Sequence, residues 1–280
     1  EIHEARWVAG RLAAYRDGSH YRWSDMAVFY RTNAQSRAIE EELVHVGVPY
    51  RVVGGTRFYD RREVRDALAF LRLAANPSDE MAARRVVNVP KRGVGDTSLA
   101  KVSVWAETHG TGFVDGLVQH SEAGVGGRAA TGITAFLDLL VALGERLEDG
   151  PATLIEVALD LSGYLDELRA EGSIEAEGRL ENLAELVGVA AAFDDVGDFL
   201  ERIGLVADTD DLPTGEDRSG DDAGQVFLMT LHAAKGLEYP VVFLVGMEDG
   251  VFPHLRSLGE PTQMEEERRL AYVGLTRARE

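Results

Sequence analysis

Apolar positions along the chain follow two rhythms, and the rhythm changes twice. Ile2 to Arg16 has helical spacing, whereas Met26-Ala-Val-Phe-Tyr30 is an unbroken apolar run of strand length. Thr32 to Ser36 predicts a helix start, capped by Thr32 or Asn33 and running to about His45, where Gly47 to Pro49 ends it. Tyr50 to Val53 predicts a second strand and Gly54-Gly55 a turn. Asp60 to Ala75 predicts a helix with Val64, Leu68, Leu71 and Ala75 on one face. Strand, helix, strand, helix is the signature of a parallel α/β unit.

From Pro77 to about Gly204 the pattern is successive helices, punctuated by Pro151, Gly163 and Gly172. Asp208 to Gly224 is acidic, glycine-containing and aperiodic, which predicts a mobile linker within about 206–224. At Val226 the first rhythm returns. Val226 to Leu231 and Val241 to Val245 read as strands covered on both faces, followed by a charged helix through Met264 to Arg269 that ends near Arg277. The simplest organisation is an α/β domain with a parallel sheet, formed by residues 1–76 and 223–280 and interrupted by an all-α domain over 77–222. No internal repeat is evident.

Composition narrows the class. The 280 residues are 45% hydrophobic and 28% charged, as in a soluble globular protein large enough for two domains. The apolar runs look strand-length and the first residues lack the basic start of a signal peptide, so no membrane span is expected. With no cysteine there is no disulfide framework, thiolate metal site or cysteine nucleophile, which fits a cytoplasmic protein.

The net charge of −19 argues against a polyanion partner until its distribution is considered. Residues 106–222 hold 27 acids and 6 arginines, so the rest of the chain carries a small net positive charge. Residues 51–101 alone hold 11 bases against 6 acids. Local field outweighs total charge in nucleic-acid binding.

Candidate chemistry clusters at four places. Thr230, His232, Lys235 and Glu238 follow a strand, and ligands of parallel sheets sit beyond the carboxyl ends of strands. Tyr30 and Arg31 end the first strand, where an aromatic can stack on a base and a guanidinium can grip phosphate. On the residues alone the commoner reading of such a pair is a tyrosine that ends the core beside a solvated arginine. Lys91-Arg92-Gly93-Val94-Gly95 precedes a helix start; it fits a backbone phosphate clamp or a plain glycine turn between helices, but departs from a dinucleotide fingerprint. Arg277 at a helix end fits either an arginine that crosses a cleft to a γ-phosphate or a dipole-capping residue. There is no Gly-x-x-x-x-Gly-Lys-Ser/Thr loop and no apolar strand ending in an Asp-Glu pair, so the chain is not expected to complete NTP hydrolysis unaided.

Four segments in order, Tyr30-Arg-Thr-Asn-Ala-Gln-Ser-Arg37, Asn88-Val-Pro-Lys-Arg-Gly-Val-Gly95, Thr230-Leu-His-Ala-Ala-Lys-Gly-Leu-Glu238 and Tyr272-Val-Gly-Leu-Thr-Arg-Ala278, resemble the later motifs of superfamily 1 DNA helicases of the UvrD/PcrA type. The resemblance covers nearly the whole chain and is thinnest over 106–222. It implies a second RecA-like domain (the P-loop NTPase sheet without its own P-loop) holding an inserted helical domain, with the Walker motifs and the ligands for Mg²⁺ in a first RecA-like domain upstream.

By position, the resemblance gives Tyr30 the adenine-stacking role, Arg31 and Arg277 the γ-phosphate, and Glu238 the ribose. Thr230, His232 and, more weakly, Arg57 correspond to single-strand contacts, and Lys91, Arg92, Gly93 and Gly95 to duplex phosphates. It implies ATP with Mg²⁺, single-stranded DNA and single/double-strand junctions as ligands, 3′ to 5′ translocation and unwinding in repair or replication, and repair-protein partners. The competing classes are a non-catalytic DNA-binding or partner-docking module and the helicase-like part of a helicase-nuclease.

Overall fold

The computed structural model describes residues 1–18, 21–208 and 224–280. The predicted acidic linker lies largely outside these residues. The chain divides into two compact units, Glu1–Arg61 with Leu205–Glu280, and Arg62–Gly204.

The first unit is built on a four-stranded parallel sheet of β1 (Met26–Tyr30), β2 (Tyr50–Val52), β3 (Val226–Thr230) and β4 (Val241–Leu244), in the order β2-β3-β1-β4. The strand that follows the helical segment therefore lies between two that precede it. Side chains alternate across the sheet. Met26, Val28 and Tyr30 face α1 (Ile2–Asp17) and α2 (Ser36–His45), packing with Val8, Leu12 and Leu43. Ala27 and Phe29 face the opposite side, where Met229, Leu231, Phe252 and Leu270 of α12 (Pro261–Leu275) close a second core. Both faces of β1 are covered, which is why its sequence is an unbroken apolar run.

The second unit is all-α. It contains α3 (Arg62–Ala75), α4 (Glu80–Val86), α5 (Asp96–His109), α6 (Phe113–Val118), α7 (Gly127–Gly144), α8 (Pro151–Leu161), α9 (Tyr164–Glu171), α10 (Ile174–Ala190) and most of α11 (Val196–Asp208). The expected junction near residue 76 differs from the observed division at Arg61/Arg62. Helix α3 packs against α4, α7, α8 and α10, and its polar side chains are satisfied there. Glu63 accepts from Asn182 at 2.6 Å, and Asp66 pairs with Arg85 at 2.8 Å and accepts from the Tyr164 hydroxyl at 3.0 Å. Buried polar groups demand such partners.

By length and composition, the 18-residue α7 is apolar enough to cross a bilayer. One face of it, with Ile133, Phe136, Leu139 and Leu143, is buried within the helical unit.

Candidate nucleotide and nucleic-acid sites

Because the strands are parallel, residues following β1, β2 and β3 emerge at one edge of the sheet. Arg31 follows β1, and alternation sends its side chain to the face opposite Tyr30, the face covered by α12. There its Nε donates to both oxygens of Glu267 at 3.0 and 3.1 Å, and its Nη2 donates to Oε1 at 2.7 Å. The Glu267 side chain is 4% exposed and that of Arg31 21%. Burial pushes the Glu267 carboxyl upward, but hydrogen bonds from Arg31 and the His254 backbone N–H, with their charges, outweigh it. Its pKa lies below the ordinary carboxylate value.

The loop carrying Arg31 is fixed from its other end as well. Gln35 Oε1 accepts from the Arg31 and Thr32 backbone N–H groups, both at 2.9 Å. Gly246, following β4, has φ +68°, and a Cβ there would collide with the Gln35 amide. His232 sits beside this pair on the turn after β3. Burial and then the Arg31 charge hold its pKa below the ordinary histidine value. Thr230 ends β3, and its hydroxyl accepts from the Ala233 N–H at 3.3 Å. Arg57 lies in the turn after β2 with its guanidinium 5.1 Å over the Tyr50 ring. Arg31, Arg57, Thr230 and His232 thus share the carboxyl edge.

Tyr30 does not present a stacking face. It is 0% exposed, packed with Met26, Val28 and Ile39. Burial, and then the nearby Glu40 carboxylate, raises its hydroxyl pKa. The adenine-stacking role is corrected accordingly: the period-two alternation of β1 turns this ring into the core, the alternative the residues had allowed.

Glu238 is also displaced from its expected place. To enter β4 in parallel with β1 the chain must first return to the amino edge, and the register Met26↔Val241 puts Glu238 there. It is exposed, with Arg279 Nε 3.3 Å from its carboxylate. Arg277 is at the same end, since its carbonyl accepts from the Tyr239 N–H at 3.0 Å. Its guanidinium turns back on α12, donating to the Val273 carbonyl at 3.1 Å and to the Thr276 hydroxyl at 3.0 Å. The structure therefore joins Arg31 with His232 and Glu267, and Glu238 with Arg277 and Arg279, rather than Arg31 with Arg277.

In the helical unit, Lys91 is exposed and Gly95 opens α5 in extended conformation with no side-chain cap. Gly93 has φ +80°. Arg92 points inward, contrary to a DNA-binding role. Its Nη1 donates to the carbonyls of Val89 at 2.8 Å and Val86 at 3.1 Å, and burial lowers its pKa. It holds the loop together from within, and Asn88 Oδ1 helps by accepting from the N–H groups of Arg92 and Val94 at 2.8 and 3.1 Å.

A second copy of this arrangement was missed in the sequence. Gly124-Val125-Gly126 repeats Gly93-Val94-Gly95: the first glycine has positive φ, the valine is buried, and the last glycine opens a helix, α7, with no side-chain cap. Lys101 of α5 donates to the Gly124 carbonyl at 2.8 Å. A Cβ on Gly93 would lie 2.7 Å from Arg128 Cγ, so the first turn of α7 abuts the first hairpin. The signal was the Gly-Val-Gly tripeptide spaced before a helix, hidden because the flanking residues differ. Helix N-termini without side-chain caps leave backbone N–H groups that can meet an anion.

The UvrD-like helicase C-terminal domain model matches residues 1–122 and 133–280. The chain is 47% identical to the ATP-dependent DNA helicase UvrD1 of Mycobacterium tuberculosis (strain ATCC 25618 / H37Rv), with all of the chain and 38% of that protein aligned. It is 47% identical to the ATP-dependent DNA helicase PcrA of Bacillus subtilis (strain 168), with 99% of the chain and 38% of that protein aligned. A probable DNA helicase II homolog of Rickettsia conorii is 40% identical, with 99% of the chain and 42% of that protein aligned. The chain thus spans about two fifths of the length of these relatives. With a family match over nearly every residue and a parallel sheet interrupted by helices, the chain belongs to the UvrD-like helicase C-terminal domain family.

Proposed function

We propose that this chain is the C-terminal portion of an ATP-dependent DNA helicase, contributing residues to an ATP site held mainly by a separate domain and contacting DNA through both of its units. The observation that carries the reading is Arg31, aimed by a buried carboxylate at the edge of a parallel sheet that has no phosphate-binding loop in its sequence. A guanidinium fixed in this way suits charge developing on a transferred γ-phosphate. Thr230, His232 and Arg57, on the same edge, serve single-stranded DNA, so closure on ATP and grip on the strand involve neighbouring residues. Glu238 and Arg277, at the opposite, amino edge, are not assigned to this phosphate, and Tyr30 supports the strand from the core.

In the helical unit Lys91, Gly93, Gly95, Gly126 and Arg128 serve duplex phosphates, so the substrate is a single/double-strand junction, worked 3′ to 5′ in repair with repair proteins as partners. A cysteine-free chain acting on DNA fits the cytoplasm. Among the described residues no group of three or more His, Asp or Glu fits a metal ion, and no step is assigned to Mg²⁺ on this chain. In the full-length protein, Arg31→Ala lowers DNA-stimulated ATP turnover about 10³-fold or more while single-strand affinity stays within a few-fold. Turnover near wild type overturns the reading in favour of a non-catalytic DNA-binding module.

A further inference from the structure

Glu267, the buried carboxylate paired with Arg31, is among the most buried charged residues of the sheet unit. We infer that Glu267 is a positioning residue for Arg31: it holds the guanidinium at the carboxyl edge so that one edge of the fork stays available for phosphate. The inference rests on Arg31 serving the γ-phosphate.

The geometry distinguishes positioning from sequestration. A guanidinium has five N–H groups in a rigid plane. Glu267 engages Nε and Nη2, one edge of the fork, and among the described residues nothing pairs with Nη1. A carboxylate that blocked the phosphate would instead take the Nη1–Nη2 edge. With Glu267 on the Nε side, Arg31 can bridge a carboxylate and a phosphate at once.

Glu267 is itself held. It lies on α12, whose Leu270 packs against the sheet, and its Oε2 accepts from the His254 backbone N–H at 3.1 Å. The Arg31 backbone is fixed by Gln35 at 2.9 Å. Both ends of the arginine are therefore constrained before any nucleotide arrives, so the rotamer freedom of a long side chain is not lost at the moment of closure.

The test uses the full-length protein and its single-strand-stimulated ATPase, with Glu267→Gln, Arg31→Ala and the double variant. Glu267→Gln is expected to lower kcat about 10- to 100-fold, the loss typical of a misplaced group, with KM for ATP and single-strand affinity changed less than about threefold. In the Arg31→Ala background the same substitution is expected to cost nothing further, because residues acting as one unit are non-additive. Glu267→Asp keeps the charge on a shorter stem and is expected to fall between wild type and Glu267→Gln.

An equal fold-loss in both backgrounds shows a merely structural residue and overturns the inference. So does wild-type kcat in Glu267→Gln, or in Glu267→Asp if the glutamine variant does not fold. If Arg31→Ala alone turns over at the wild-type rate, the reading of Arg31 fails and the inference fails with it. Loss in Arg31→Ala without loss in Glu267→Gln removes only the inference.

Discussion

The carboxyl edge of the sheet and the paired hairpins of the helical unit, the two places proposed to meet phosphate, are built in opposite ways. At the edge, one side chain carries the charge, and a buried carboxylate, a backbone N–H and a glutamine amide fix its direction. At the hairpins, backbone does the work: positive-φ glycines turn the chain, buried valines anchor it, and uncapped helix starts present N–H groups. The difference suits the two proposed tasks. A reacting phosphoryl group needs charge at one point in one orientation, whereas a duplex sliding past needs attachment without directional demand.

The largest effect that can break this comparison concerns Tyr30. If it is a core residue, Tyr30→Ala destabilises the sheet unit by about 3–5 kcal/mol, measured by denaturant unfolding. Weakened ATP binding at unchanged stability would return the ring to the nucleotide. Next is Gly132 of α7, where an added Cβ would collide with the Arg92 carbonyl. Gly132→Ala should cost about 1–3 kcal/mol and weaken duplex binding while sparing the ATP turnover driven by single strands. Unchanged duplex affinity would show that the two hairpins work independently.

Smaller still are the charge deletions. Lys91→Ala and Arg128→Ala should each reduce the slope of log affinity for duplex against log salt by about 1, across all sequences tested. A change confined to particular sequences would mean base reading and remove the contrast. The smallest effect is on pH. The Glu267 pKa lies below its ordinary value in the fold, so its stabilisation is complete above the unfolded carboxylate value and is lost as pH falls through the folded one. Glu267→Gln should flatten that acid limb of stability, and an unchanged limb would show the Arg31 pair contributes nothing there.

Much of the architecture could be read directly. Met26–Tyr30 appears with the predicted limits, because a strand covered on both faces is written as an apolar run, and the other three strands fall within one residue of theirs. The first glycine hairpin was equally plain. What escaped depends on three-dimensional closure. The side toward which Tyr30 turns was implicit in strand alternation, but only the covering by α1 and α2 makes it interior. Glu238 follows a strand in sequence, yet lies at the amino edge because the next strand runs parallel. Arg92 looked like a phosphate ligand until its own loop curled carbonyls around it, and α3 gave no sign of its allegiance because its buried carboxylates find partners up to 119 residues away.

The position of β3 between β1 and β2 bears on how the chain is made. A ribosome releases β1 and β2 long before β3, and the two cannot bond to each other because the missing strand belongs between them. With 173 residues separating Val52 from Val226, the wait at typical synthesis rates is on the order of ten to thirty seconds. Through that interval the helical segment can already be folding, while both edges of β1 and the inner edge of β2 stand open to neighbours on a crowded polysome. The insertion therefore sets the order of assembly as well as the architecture, and the nascent chain is most exposed to misassociation just before Val226 emerges.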